Sequence, residues 1–414
     1  MYFLYNILVQ LTGFALKGLA FFDKKMALFV AGRKNVFKTL QGTFQKNDRI
    51  IWFHCASLGE FEQGRPVIEQ VRDQFNSHKI LVTFFSPSGY EIRKEYAGAD
   101  LVTYLPLDTM HNVRRFLDLA HPEMAVFIKY EFWPNFLKQL KANGTPTLLV
   151  SGIFRKEQTF FKWYGGWMKK TLRNFDHFFV QDTPSEILLK TQGFTNVTKS
   201  GDTRFDRVHE ITGQPINLIE VEEFRNNKLT LIAGSTWPKD EELLVKYINN
   251  ANDGQRFIIA PHNIKPGSIA ELETSIRKKT ILFTETDKKK LSDYQVLIIN
   301  TIGLLSKIYK YADVVYVGGG FGVGIHNILE PATFSVPVLI GPNFKKFKEA
   351  NDLVDLGACF VVNDYEGLSE RLSELFVNEE QRIGAGKLAG EYVLNNVGAT
   401  QIIMNYLSNI ISKK

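Results

Sequence analysis

The 414-residue sequence predicts an α/β fold of two doubly wound parallel-sheet domains, preceded by a hydrophobic N-terminal membrane helix. Three observations predict it. Wholly apolar runs of strand length alternate with helical patterns, which is how strands covered on both faces read. The alternation runs twice, separated by a polar stretch at 202–228 that carries Gly213 and Pro215. Residues 1–22 hold 16 apolar residues and a single charge, Lys17.

In that first stretch the polar breaks Asn6, Gln10, Gly13 and Lys17 fall on one face at about 100° per residue. A helix apolar over most of its girth, with Lys24, Lys25, Arg33, Lys34 and Lys38 after it, suits attachment to a bilayer, in its plane or across it. The basic flank places the rest of the chain on the cytoplasmic side. The stretch has no small-residue cleavage site, so a removed signal peptide is not expected.

The first series then reads in order. Strands are expected at Ile50–Cys55, Lys79–Phe85, Leu101–Leu105, Met124–Ile128, Pro146–Val150 and His177–Val180. Helices start at Ser57-Leu58-Gly59-Glu60, after Ser86-Pro87-Ser88-Gly89, at Met110, after Trp133-Pro134, over Lys162–Leu172 and after Asp182. The second series has strands at Leu229–Ala233, Arg256–Ala260, Ile281–Phe283, Val296–Asn300, Val314–Val317, Val336–Ile340 and Cys359–Val362, then two terminal helices. The expected domains are 1–22 (membrane-associated helix), 23–205, a linker at 206–228, 229–395, and a terminal helix in 396–414 that packs back on the first domain. Two such units imply a cleft with ligands at the strands' carboxyl ends.

Composition bounds the chemistry. Net charge is +6 and the pI is about 9.0, which suits an anionic partner without requiring one. Cys55 and Cys359 lack CxxC spacing, so free thiols in a reducing compartment are expected, with no structural metal. GxGxxG fails in every register of Gly318–Gly324, because Val323, Ile325 and Asn327 stand where the last glycine is needed. There is no GxxxxGK, GxSxG or HExxH. The loop still joins an apolar strand to a helix expected to open near Pro331, an arrangement that offers N–H groups to phosphate or serves only as a tight turn.

Two glutamates have paired readings. Glu330 before Pro331 would sit at a helix entrance, where it could accept ribose hydroxyls or merely complete an Asn327-x-x-Glu330 cap. Glu60 closes an S-x-x-E capping box with Ser57, and past the end of the first strand it could equally be a general base. Ser235 and Thr236 end a strand and could face phosphate or act as N-caps. His262, Arg204 and Lys265 are anion candidates with structural alternatives, and Trp133 reads as core.

Taken together, SLGE at 57–60, SPSG at 86–89, EFWPN at 131–135, GDTRFD at 201–206, AGSTW at 233–237 and GGGFGVGIHNILEPA at 318–332 resemble, in order and spacing, the 3-deoxy-D-manno-octulosonic acid (Kdo) transferases of lipopolysaccharide synthesis. The resemblance spans nearly the whole chain. It implies a GT-B fold, two Rossmann-like domains facing across a cleft, with the acceptor side first and the nucleotide side second. It implies CMP-Kdo as donor, a lipid A precursor as acceptor, inversion at the anomeric centre, and no cofactor or metal. By position, Glu60 is the implied catalytic base. The implied donor-binding residues are Ser235, Thr236, His262, Gly318, Gly319, Gly320, His326, Asn327 and Glu330. Ser57, Gly59, Ser86, Glu131 and Arg204 are supporting or acceptor-side. Lys129-Tyr130-Glu131 departs from the family's Glu-Thr-Glu, and Pro261-His262-Asn263 from its Pro-Arg-His, which removes a donor-side arginine that Lys265 would have to replace. Gly320, Ile328 and Trp237 stand where Ser, Pro and His are common. The expected setting is the cytoplasmic face of the inner membrane, with the anionic membrane surface as a partner and no nucleic acid. The alternatives are a GT-B transferase for another nucleotide sugar and an inactive, membrane-bound nucleotide-binding protein.

Overall fold

A computed structural model of the chain describes residues 1–412; the last two residues of the 396–414 segment lie outside the described residues. The chain forms two compact units. The first comprises Met1–Arg207 with the chain from Val397 on, and the second is Val208–Asn396.

The first unit carries β1 (Arg49–Cys55), β2 (His78–Phe84), β3 (Leu101–Tyr104), β4 (Met124–Ile128), β5 (Thr147–Gly152), β6 (His177–Val180) and β7 (Val197–Lys199). They pair in parallel in the order β3-β2-β1-β4-β5-β6-β7. Side chains of β1 alternate between two fully buried faces. Trp52 packs against Phe116, Phe127 and Phe136 on one face, while Ile51 and Phe53 join Phe61, Ile403, Met404 and Leu407 on the other. The last three belong to the helix Ala399–Ile411, which packs on the helix Leu58–Gln74.

The second unit carries β8 (Leu229–Thr236), β9 (Gln255–Pro261), β10 (Thr280–Leu282), β11 (Val296–Ile298), β12 (Val314–Val317), β13 (Val338–Ile340) and β14 (Cys359–Val361). The order is β10-β11-β9-β8-β12-β13-β14, again parallel.

Two expectations need correction, and one strand was not expected. Residues 206–228 are not irregular. They contain the end of the helix Thr203–Thr212 and the helix Ile219–Arg225, which buries Val221 and Phe224, three residues apart and so on one face. Arg225 ties that helix to Asp313 at 3.0 Å. The helix expected over Lys162–Leu172 starts only at Gly166, after a 3₁₀ turn at Thr159–Phe161. The strand β7 escaped notice because three residues, VTK, give no pattern to read.

The N-terminal helix forms as Tyr2–Leu19, but among the described residues no helix is long and apolar enough to cross a membrane. The helix has no fully buried residue, so it is not a core helix. It docks through polar contacts. The Tyr5 hydroxyl donates to Asp108 Oδ2 at 2.6 Å, Tyr2 donates to Asn135 Oδ1, and Asn135 Nδ2 donates to Asn6 Oδ1 at 2.9 Å. Phe3, Phe14 and Phe22 point outward, 75%, 71% and 90% exposed. Its apolar face is thus turned to the surroundings and its polar contacts inward, the reverse of a water-facing helix.

Candidate functional site

In a doubly wound sheet, ligands bind at the carboxyl ends of strands where the winding reverses. That point lies between β1 and β4 in the first unit and between β8 and β12 in the second. Glu60 and Glu131 come after β1 and β4; Ser235, Thr236 and the glycine loop come at the ends of β8 and β12.

In the first unit, Glu60 is half-buried at the third position of the helix Leu58–Gln74. Its Oε2 accepts from the Ser57 N–H at 3.1 Å and from the Ser57 hydroxyl. The capping role is therefore present in the structure, and the carboxylate remains partly open. Gly59 beside it is exposed. The Ala56 carbonyl accepts from the Phe85 and Ser86 N–H groups at 3.2 and 2.7 Å, which ties the turn after β1 to the turn after β2. Ser86 itself N-caps the next helix, accepting from Ser88 at 3.3 Å.

Glu131 is buried, 8% exposed. Its Oε2 meets His54 Nε2 at 2.9 Å and the Trp133 indole N–H at 2.7 Å. His54 is fully buried on β1 and is held from its other nitrogen by Thr83 Oγ1 at 2.8 Å. Burial, then Glu60, Glu131 and Glu62, push the Cys55 thiol well above its ordinary range. Burial raises the Tyr130 phenol, Arg155 opposes that, and Asp182 and Glu60 add to it. The phenol at 130 stands where the resemblance expects threonine, and the acid it expects at 129 is a lysine. Arg204 pairs with Asp202 at 2.7 Å.

In the second unit, three rings stack. Trp237 lies on His262 at 4.5 Å and 16°, and His262 lies on His326 at 4.7 Å and 30°. The Trp237 indole N–H donates to His326 Nε2 at 2.9 Å. This bond needs Nε2 unprotonated, and burial, then the neighbouring His262, depress the His326 pKa accordingly. The His262 N–H donates to the Thr236 carbonyl at 2.9 Å, while the Thr236 hydroxyl donates to Glu241 at 2.9 Å. Ser235 adopts a left-handed φ of 55°, an unusual state for a serine that lifts it out of the strand's register.

The glycine loop differs from the expected cradle. Gly318 donates to the Gly234 carbonyl at 2.9 Å, and Gly322 and Gly324 donate to the Gly319 carbonyl at 3.0 and 3.2 Å. Gly319 donates to Asp240 Oδ2 at 2.8 Å. These four N–H groups are engaged internally. The glycines serve close approach: a Cβ on Gly318 would stand 2.4 Å from the Ser235 carbonyl oxygen, and one on Gly320 would stand 2.5 Å from Gly341 Cα. The helix beyond the loop spans Leu329–Ala332, so Glu330 lies inside its first turn rather than before it. Asn327 caps the turn by accepting from Leu329 at 3.2 Å, and its Nδ2 donates to Glu330 at 3.1 Å. Lys265 stands exposed at the start of the helix Pro266–Ser275.

Asp240 was missed in the sequence. It is 1% exposed and accepts from the Trp237 N–H at 2.9 Å, the Gly319 N–H at 2.8 Å and the Tyr316 hydroxyl at 2.7 Å. An acid three residues after a pre-proline N-cap was a legible half of this pattern. Among the described residues no group of three or more His, Cys, Asp or Glu side chains is placed to hold a metal ion.

A family model described as 3-Deoxy-D-manno-octulosonic-acid transferase (kdotransferase) matches residues 31–207. The chain is 28% identical over 333 residues to a 3-deoxy-D-manno-octulosonic acid transferase of Aquifex aeolicus, covering 78% of this chain and 85% of the relative. It is 26% identical to that of Rickettsia bellii, covering 89% of each. Among solved structures it resembles a UDP-GlcNAc 2-epimerase from Neisseria meningitidis bound to UDP-GlcNAc, with a TM-score of 0.61 at 13% identity, covering 87% of this chain and all of that one. A putative UDP-N-acetylglucosamine 2-epimerase from Listeria monocytogenes gives 0.60 at 10% identity, covering 89% of this chain and 98% of that one. These structural likenesses carry the fold alone.

Proposed function

We propose that the chain is a Kdo transferase, an inverting GT-B glycosyltransferase that moves Kdo from CMP-Kdo to a lipid A precursor, a reading supported by its similarity to that family. Transfer of Kdo in lipopolysaccharide synthesis is the family's activity; donor, acceptor and stereochemistry are our reading. The observation that carries it is Glu60, a partly open carboxylate at the switch point of the unit the family model matches.

A sugar hydroxyl holds its proton far above neutral pH, so its attack gains from a base that takes the proton as the bond forms. Glu60 takes the acceptor's proton, the oxygen bonds to the anomeric carbon, and the bond to CMP breaks on the opposite face, its electron pair leaving with the phosphate. Ser235, Thr236, His262 and His326 hold the phosphate end of the donor, and Asn327 with Glu330 the ribose. No metal or cofactor is assigned; these groups balance the leaving charge. The outward apolar face of Tyr2–Leu19 with Lys24 and Lys25 supports in-plane attachment to the cytoplasmic face of the inner membrane.

Mass spectrometry of the lipid formed from CMP-Kdo and a lipid A precursor tests the reading. Turnover with a UDP-sugar alone, or CMP binding with no transfer, would overturn it. The Glu60→Gln protein should keep its cap, since an amide oxygen still accepts from the Ser57 N–H, and lose activity by about 10²–10⁴-fold. A folded and fully active Glu60→Gln protein removes Glu60 from the mechanism.

A further inference from the structure

A cavity of about 770 Å³ opens in the first unit at the corner between the N-terminal helix and the helix Lys24–Gly32. We propose that it takes one acyl chain of the lipid acceptor, an inference that rests on the acceptor reading above. Three observations carry it.

The first is the lining. Leu16, Phe21, Phe29, Phe37 and Leu107 make much of its wall apolar, a lining that suits a hydrocarbon chain. The second is charge. Lys17, Arg33 and Lys34 line the cavity and no acidic residue does. Arg33 is committed to structure: it donates to the carbonyls of Leu105, Phe29 and Phe85 at 2.9, 2.9 and 2.7 Å, and its guanidinium lies 3.5 Å over the Phe29 ring. Lys17 and Lys34 are exposed and offer their charge to an anionic headgroup at the mouth.

The third is continuity with the acceptor loops. The Phe29 ring meets the edge of Phe85 at 5.2 Å, and Phe85 packs on Trp133 at 4.6 Å. Phe85 precedes Ser86, and Trp133 donates to Glu131. A chain seated in the cavity therefore lies one layer of side chains from the turns after β2 and β4. The outward apolar face of the N-terminal helix sets the mouth among lipid chains.

The test fills the cavity. Ala27→Phe and, separately, Ala20→Phe place a ring in it from two different elements. kcat/KM is measured on the full chain with an acylated lipid A precursor and with its deacylated sugar phosphate. Each filler should lower kcat/KM for the acylated acceptor by about 10-fold or more, the loss of a few buried methylenes, and leave the deacylated acceptor no worse than in the wild type. An equal loss on both acceptors, or none on either, overturns the proposal. A dansyl-labelled fatty acid gives a readout that does not need transfer: it should bind the wild type, and both fillers should abolish that binding. Probe binding that the fillers leave intact overturns the cavity itself. If neither acceptor is glycosylated while the probe behaves as expected, the acceptor assignment fails and the cavity belongs to a bilayer phospholipid, which also overturns the proposal as stated.

Discussion

Asp240 is where the donor half is most exposed to a single change. Its carboxylate holds three donors from segments 76 to 79 residues away and from its own helix start. In Asp240→Ala the Trp237 N–H, at a 39% exposed residue, recovers water. The Gly319 N–H and the Tyr316 hydroxyl are buried and do not. Two buried donors left unpaired at about 1–3 kcal/mol each give a loss near 4 kcal/mol. That is a large part of the stability of an ordinary domain. Asp240→Asn tells a different story. Its amide oxygen can take both N–H groups while its NH₂ donates to the Tyr316 oxygen, so only the Tyr316 O–H proton is left without an acceptor, a loss of about 2 kcal/mol. Urea titration monitored by tryptophan fluorescence measures the pair, and hydrogen exchange of the segment at 314–324 localises the effect to the Gly319 amide. Asp240→Ala should also weaken CMP binding, because Gly319 holds a φ of 94° at the turn that carries the ring stack. If the alanine protein proves no less stable than the asparagine protein, Asp240 does not organise the loop and the reasoning fails.

Two other outcomes concern buried titrating groups. Burial raises the Asp108 carboxyl from its ordinary 3.8 to about 6, partly offset by its bonds from Tyr5, Asn135 and Phe136, so the folded chain holds this proton more tightly than the unfolded one. Its contribution to stability is full below pH 3.8, declines as pH rises, and is lost above pH 6, a swing of about 3 kcal/mol that Asp108→Asn should erase from the pH dependence of Tm; parallel curves for the two proteins would exclude this. For the ring stack, an NMR titration should place the His326 midpoint below 6.5, and Trp237→Phe, which keeps the stack but loses the donor to Nε2, should raise it. An unchanged midpoint would mean the indole bond does not hold the neutral ring.

The longer strands of both sheets were legible because burial on two faces leaves no choice of residue: IIWFHC, MAVFI and VVYV can be little else. Glu60 and Ser57 were legible because a capping box is local, closing within one turn. What escaped the sequence was long-range or inverted. Asp240 gains its meaning from Tyr316 and Gly319, and nothing near position 240 announces them. The N-terminal helix is apolar on most sides, so its composition does not say which side docks. The answer lay in three polar residues, Tyr2, Tyr5 and Asn6, whose partners Asp108 and Asn135 are over 100 residues on. Asn135, read as part of a family motif, thus has a structural use in seating that helix.

The glycine loop makes the same point for function. Its sequence offers seven residues from Gly318 to Gly324 that could cradle a phosphate, but the fold spends four of their N–H groups on Gly234, Gly319 and Asp240. A buried carboxylate directly beneath the loop would also repel a phosphate placed there. The anion-facing chemistry of this half therefore passes from the loop's backbone to the side chains it positions: His326 at its end, His262 and Trp237 stacked beside it, and Ser235 lifted by its left-handed turn. Glycine at 318 and 320 is what lets the chain after β12 lie close against the ends of β8 and β13 and hold those side chains in one place, so replacing either should disturb donor binding through position rather than through a lost contact.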